Sequence, residues 1–437
     1  MPHILQEVYT DMFAIENLGK RSIPSPITSR YFTGEKTRIL YNHHVPGYNE
    51  QAMKDGSPLS LECAGPRETI YYDPSQVHAA IVTCGGLCPG INDVIRAIVM
   101  ALFFRYGVTK VTGFRYGFEG LIPDYGHEPL PLNPEVVKDI HTIGGSILAS
   151  SRGHQDIGAM VDTLVARKIN ILFCVGGDGT MRAMEIIHRE LKKRNEKIAL
   201  IGVPKTIDND LSLIDRSFGF DTAISEVVKV IQCGHVESRG APNGIGLVKI
   251  MGRESGFTVA YATLAQNDVN VALIPEVPFN LSGTGGFLDH LDKRLSSRGH
   301  AVVLVAEGAG QHLCRNCDTV EKDASGNVRL FNIGVFLKDA IETYFRTKGT
   351  DINLKYIDPS YIIRSVPANA SDSIYCDLLG QYAVHAGMAG KTAMVLGLYR
   401  GEYVHLPLKA VTSRRKLNPQ SNLWLRVLEA TGQPPFC

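Results

Sequence analysis

At 437 residues the chain exceeds what one hydrophobic core fills, because single cores stop growing near ~250–300 residues, so two or three domains are expected. A net charge of +1, with 44% apolar and 20% charged residues, describes an ordinary globular protein and gives no sign of a polyanion-binding surface, so no nucleic-acid partner is expected. Nine cysteines, an odd number scattered through apolar stretches such as those of Cys84, Cys174 and Cys376, argue against a disulfide framework and for a reduced, cytoplasmic setting.

The first stretch, MPHILQEVYTDMFAIENLG, carries early acids and no continuous apolar core, so it does not read as a signal peptide. No apolar run approaches the ~20 residues that span a bilayer, and no membrane partner is expected. Residues 1–78 are polar, punctuated by proline and without a clean period, and read as an N-terminal arm packing on the body. From residue 79 the pattern changes. AAIVTC, KVTGF, NILFCV, IALIGV, IGLVKI, NVALIPEV and AVVLVAEG read as buried strands, with amphipathic helices over 156–168, 180–195 and 221–238 between them. This alternation predicts an α/β protein with mainly parallel sheets flanked by helices. The length predicts two such lobes, 79–240 and 241–400, broken near SRGAPNG at 238–244. Residues 401–437, which hold the only Trp, are expected to pack back on the body.

Two glycine clusters each follow a strand and precede a helix: CGGLCPGIN (84–92) and CVGGDGT (174–180). Such a loop offers backbone N–H groups and a helix dipole to a phosphate, although a tight turn alone explains the first. In the second, Asp178 is suited to a divalent cation bridging phosphates, or to capping the next helix. VPKTIDNDL (203–211) then drives an apolar strand into Lys205, Asp208 and Asp210. An Asp at a strand end suits a general base toward a substrate hydroxyl, unless both acids only satisfy turn amides. Lys205, and Arg152 in LASSRGHQD, are candidate cations for spread negative charge. KIMGRESGF (249–257) sets a small residue and a guanidinium fork after a strand, and in DPSYIIRS (358–365) the spacing of Tyr361 and Arg364 aims both to one side of a helical turn. A lone CRNC at 314–317 lacks the second half of a zinc site.

Taken in this order, CGGLCPGIN, SSRG, GGDGT, PKTIDND, MGR, a Glu after a strand, and Y-x-x-R resemble the 6-phosphofructokinase family over about residues 79–400. The match is most similar to the ATP-dependent branch of plants and trypanosomatids. The resemblance implies two Rossmann-like lobes and an ATP-dependent, cytoplasmic, allosteric glycolytic kinase that forms a homotetramer and converts fructose 6-phosphate to the 1,6-bisphosphate. By resemblance Asp208 is the base toward the C1 hydroxyl, and Thr206 and Ile207 line the sugar side. Asp178 holds Mg²⁺, while Gly86, Arg152, Gly153, Gly177, Gly179, Thr180 and Lys205 contact ATP and its phosphates. Met251, Gly252, Arg253 and Glu307 grip the sugar, with Tyr361, Arg364 and Lys355 around its 6-phosphate.

Donor choice turns on two positions. Gly179 stands where an Asp accompanies pyrophosphate in this family, leaving room for ATP, whereas Lys205 is usual in the pyrophosphate enzymes. The plant and trypanosomatid type carries the same mixture, so ATP is expected and a pyrophosphate-dependent phosphotransferase is the alternative. Gly244 stands where bacterial members have an Arg reaching across a subunit interface, which puts bacterial-style control in question. Kinases sharing only GGDGT have no use for PKTIDND, MGR and YIIR. A binding protein with a dead site would be expected to lack Asp178 or Asp208.

Overall fold

The computed structural model describes residues 13–28, 31–42, 53–54, 57–313 and 328–436, which form two compact units. The first comprises residues 1–206, 211–219 and 366–414, and the second residues 207–210, 220–365 and 415–437.

The first unit is built on nine strands: β1 (Arg38–Leu40), β2 (Ser60–Cys63), β3 (His78–Thr83), β4 (Lys110–Phe114), β5 (Leu130–Leu132), β6 (Ile171–Gly176), β7 (Ala199–Pro204), β12 (Met394–Tyr399) and β13 (Glu402–Pro407). Their order across the sheet is β5-β4-β3-β6-β7-β12-β13-β2-β1. From β4 to β12 the strands are parallel, and the strands at either side of that block run antiparallel. Every residue of β3, β6 and β7 is buried, as strands covered on both faces by helices must be. Those helices are α1 (Ile91–Ala101), α2 (Ile157–Ala166), α3 (Asp178–Lys193) and α8 (Ala370–Met388). Where α8 crosses α1, a Cβ on Gly380 would stand 2.5 Å from that of Ala97, so only glycine allows this approach.

The second unit carries β8 (Gly244–Ile250), β9 (Val271–Leu273), β10 (His300–Ala306) and β11 (Asn353–Ile357) in an all-parallel sheet ordered β9-β10-β8-β11. Its helices are α4 (Phe220–Arg239), α5 (Phe257–Ala265), α6 (Phe287–Arg298), α7 (Ile333–Thr347) and α9 (Asn422–Thr431). At Gly244 a Cβ would fall 1.9 Å from the Ser238 carbonyl oxygen. No side chain fits there, so the arginine expected at this position in bacterial relatives is excluded by the packing of α4 against β8.

The sequence boundaries at 240, 400 and 78 are corrected by this partition. Helix α4 packs on the second sheet although it precedes the SRGAPNG break. Residues 366–407 return to the first unit, where β12 and β13 extend its sheet, and β1 and β2 supply that sheet's far edge. An apolar run such as MVLGLY fixes that a strand forms but not which sheet it joins. The segment 401–437 divides at Arg414, and α9 buries Trp424 in the second unit.

A cluster of charged groups lies inside the first unit. Glu62 of β2, 7% exposed, accepts from Arg67 at 2.9 Å, from Lys391 at 2.8 Å and from His405 Nδ1 at 3.0 Å. Arg67 and Lys391 are each 2% exposed and His405 is 1% exposed. Burial pushes the Glu62 carboxyl upward, but His405 and Lys391 outweigh it and hold it far below the usual range. Among the described residues no helix is long and apolar enough to cross a membrane.

Candidate functional site

In the first unit the registers Val175↔Thr83 and Gly176↔Pro204 bring the carboxyl ends of β3, β6 and β7 level. The loops leaving those three ends are the two glycine clusters and PKT. In open α/β sheets ligands bind beyond the carboxyl ends of strands, so the motifs stand where the fold offers a site. Lys205 joins the loops: its N–H donates to Gly176 O at 2.9 Å and its Nζ to Gly86 O at 2.5 Å, with 5% of the residue exposed. The ammonium is thus a strut of the first glycine loop. The SSRG segment is stitched to the same loop, through Gly85 N to Ser151 O at 3.0 Å and Ser150 Oγ to Gly85 O at 2.6 Å, leaving Arg152 and Gly153 exposed.

Helix α3 begins at Asp178 with Gly177 as its N-cap and no side chain bonded to its first amides, whereas α2 and α8 are capped by Asp156 and Asn369. Its open N-terminus keeps backbone donors for an anion. Thr180 is buried in the first turn, and Gly179 is exposed. A Cβ at Gly179 would meet nothing within 4 Å, so protein packing does not demand glycine there. The glycine is therefore explained by what the loop receives.

The Asp178 carboxylate is paired with two arginines. Oδ2 accepts from Arg182 at 2.6 Å and from Arg414 through Nε and its terminal nitrogen, both at 3.0 Å. Arg182 was legible as an i,i+4 partner, but Arg414 lies 236 positions away and had no local signal. Among the described residues no three His, Cys, Asp or Glu groups converge to hold a metal ion. A single carboxylate beside open amides fits Mg²⁺, which keeps few protein ligands and shares the substrate's phosphates.

In the second unit, residues 207–210 form a turn with Ile207 and Asn209 buried, Asp208 and Asp210 partly buried, and Asn209 left-handed at φ 51. Thr206, in the first unit, gives its carbonyl to Ser217 Oγ at 2.6 Å. Beyond β8 and β10, whose register pairs Ile250 with Ala306, the Met251–Gly252–Arg253 and Glu307–Gly308 turns lie side by side. Glu307 N–H donates to Ile250 O at 2.9 Å and Gly308 N–H to Gly252 O at 3.1 Å. A Cβ on Gly308 would sit 1.9 Å from Arg253 O, so this contact demands glycine.

Burial raises the Glu307 carboxyl above its usual range, against the pull of Lys249 and Arg253. Lys249 is itself paired with Asp358 at 2.7 Å. Arg364 stacks over the Tyr361 ring at 5.0 Å on a 3₁₀ turn, where positions i and i+3 eclipse, as their spacing predicts. Lys355 stands apart. Its register partner is Gly246, four residues before the end of β8 and roughly 13 Å along the strand. Lys355 is exposed mid-strand, so the structure does not gather it with Arg253, Glu307 and Arg364. A cavity of about 370 Å³ at the amino ends of β8 and β10, lined by His235, Arg239, Arg298, Gly299 and His300, includes none of the motif residues. CRNC at 314–317 lies outside the described residues.

The family model described as phosphofructokinase matches residues 78–387. The chain is 48% identical over 436 residues to an ATP-dependent 6-phosphofructokinase of Borreliella burgdorferi, covering 97% of each chain. It is 48% identical to ATP-dependent 6-phosphofructokinase 5, chloroplastic, of Arabidopsis thaliana, covering all of this chain and 84% of that one. Among solved structures, a pyrophosphate-dependent phosphofructokinase of Marinobacter aquaeolei superposes with a TM-score of 0.66 at 20% identity, over 82% of this chain and 91% of that one. At that identity the likeness speaks for the fold alone.

Proposed function

The chain belongs to the phosphofructokinase family, and from that premise we propose how its residues divide the work of an ATP-dependent 6-phosphofructokinase. The enzyme transfers the γ-phosphate of ATP to the C1 hydroxyl of fructose 6-phosphate, and the pyrophosphate-dependent alternative is not favoured. Residues of the first unit take the nucleotide. The loops holding Gly86, Arg152, Gly153, Gly177, Gly179 and Thr180 offer backbone donors and a guanidinium to the phosphates, and Lys205 keeps the Gly86 loop in shape. Asp178 would hold Mg²⁺ together with those phosphates, and the ion would supply positive charge against the phosphoryl oxygens. The arginines Arg182 and Arg414 bond Oδ2, which leaves Oδ1 as the oxygen that would face the ion.

Residues of the second unit take the sugar phosphate. Arg253 and Glu307 meet its hydroxyls, Met251 and Gly252 shape the backbone against it, and Arg364 with Tyr361 takes the 6-phosphate. Thr206 and Ile207 line the approach. Asp208 accepts the C1 hydroxyl proton as the oxygen attacks, a step general bases accelerate by about 10²–10⁴. Lys355 adds positive charge from its strand without joining that cluster. The protein works in the cytoplasm as a homotetramer under allosteric control. What supports the nucleotide half is the register Gly176↔Pro204, which seats the Asp178 loop and the PKT turn side by side with Lys205 bonded across them.

The test is phosphorylation of fructose 6-phosphate with Mg²⁺, comparing ATP and pyrophosphate, on the wild type and Asp208→Asn. ATP turnover lost by about 10²–10⁴ in the variant, with KM retained, is expected. Turnover mainly with pyrophosphate overturns the donor, and an active Asp208→Asn enzyme overturns the base.

A further inference from the structure

We infer that Arg415, in the C-terminal segment, is a positioning residue that aims Asp208 by holding the backbone of its turn; the inference rests on Asp208 being the base. Residues 207–210 have no regular structure, so their carbonyls must find partners from elsewhere in the chain. Each of the four does. Ile207 O accepts from Thr258 Oγ1 at 3.4 Å and Asp208 O from Ser255 Oγ at 3.2 Å. Asn209 O accepts from the Arg415 guanidinium at 2.9 Å, and Asp210 O from the Arg415 N–H at 2.6 Å. The two shortest bonds therefore come from one residue, more than 200 positions away.

Arg415 is itself held. Its guanidinium lies over the Phe257 ring, 4.6 Å from the centroid, at the first residue of α5. Two residues on, Leu417 N–H donates to Glu276 Oε1 at 2.8 Å, and the same oxygen accepts from Gly256 N–H at 3.0 Å. A planar cation fixed on a ring makes a directional donor, and a charged donor bonds a carbonyl more strongly than a neutral one. It acts on the strained position, because Asn209 is the left-handed residue whose φ decides how the preceding carboxylate is aimed. The Glu307–Ile250 and Gly308–Gly252 bonds and the Arg364–Tyr361 stack are made without Arg415, so sugar binding is expected to survive its loss.

Misplacing a reacting group by about 1 Å costs on the order of 10²-fold in rate. Arg415→Met, which keeps an apolar stem on Phe257 and the backbone N–H on Asp210, is expected to lower kcat about 10–100-fold and leave KM for fructose 6-phosphate within about twofold. A loss confined to kcat at unchanged KM, partly rescued by a second cation at this position, is a pattern that a merely structural role would not produce. Arg415→Lys restores part of kcat. Because Arg415 acts through Asp208, the double variant Asp208→Asn/Arg415→Met is no slower than Asp208→Asn alone.

Three results overturn the inference while leaving Asp208 as the base: kcat reduced less than about threefold in both Arg415 variants beside an inactive Asp208→Asn, a raised KM at unchanged kcat, or losses that multiply in the double variant. An active Asp208→Asn enzyme sinks the base assignment, and this inference with it. Should Arg415→Met fail to fold, the same kcat and KM readings on Arg415→Lys decide the matter.

Discussion

Replacing Glu62 by Gln removes one charge from the interior of the first unit and almost no volume. The buried Lys391 ammonium, 2.8 Å away, and the Arg67 guanidinium, 2.9 Å away, then lose their shared carboxylate, although Arg67 keeps Glu35 at 3.3 Å. Breaking a buried pair from one side costs about 3–5 kcal/mol, because the stranded charge stays desolvated. The Gln carbonyl still accepts one hydrogen bond and returns about 1 kcal/mol, so a net loss of about 2–4 kcal/mol is expected. Urea unfolding followed by far-ultraviolet circular dichroism measures it.

A second background, Lys391→Met, sharpens the test: with the main buried cation gone, Glu62→Gln should cost at least about 1.5 kcal/mol less. The sign with pH follows from the direction of the shift. The folded carboxyl is far more acidic than an unfolded Glu, near ~4.3, so its contribution is complete above about pH 5. It is lost as acid approaches the folded pKa, so the gap between wild type and Glu62→Gln is constant from about pH 6 to 8 and narrows below about pH 4. A loss under about 1 kcal/mol, or equal losses in both backgrounds, would refute the reasoning that this ion cluster is held together by Glu62.

Three further outcomes are open to measurement. Burial pushes the His385 imidazole, bonded to Tyr106 at 2.8 Å, down to about 3, so the fold holds it neutral while the unfolded chain takes up a proton below about 6.5. Its contribution is whole above that pH and about 2 kcal/mol smaller at pH 5; His385→Gln should lose about that much less between pH 7 and 5, and equal slopes would contradict it. Gly179→Asp has open space around its Cβ, so its unfolding midpoint should match the wild type while kcat/KM for ATP falls about tenfold or more; undiminished ATP turnover refutes the room argument. Gly308→Ala drives a methyl to 1.9 Å from Arg253 O, and the displaced turn should raise KM for fructose 6-phosphate about tenfold; an unchanged KM shows the turn is not held by this contact.

The parallel strands, the two glycine loops and the acidic turn after β7 were legible because each is a local pattern: an apolar run, then glycine or acid. The pairing of Tyr361 with Arg364 was legible for the same reason, as a spacing within one turn. What escaped was long-range. Arg414 and Arg415 sit in a tail whose SRRK reads as a solvated charge run, and only folding carries them to Asp178 and to the carbonyls of Asn209 and Asp210. Glu62, Lys391 and His405 meet from opposite ends of the chain, and no window of sequence holds all three. Gly244 was noticed as a departure, but its cause, the Ser238 carbonyl at 1.9 Å from any Cβ, belongs to the packing of helix on strand.

The strand order of the first unit bears on how the molecule is made. β1 and β2 attach to the sheet only through β13, and β13 only through β12. As the chain leaves the ribosome, β1 and β2 emerge early and can pair with each other, but the outer edge of β2 has no partner until residues 394–407 follow. In the interval most of the second unit, residues 207–210 and 220–365, is synthesised. Non-local pairing of this kind folds slowly and leaves strand edges uncovered meanwhile. The nascent chain therefore carries an unpaired N-terminal hairpin edge for most of its translation, which makes this the stretch most exposed to chaperone capture and to mispairing with a neighbouring nascent copy.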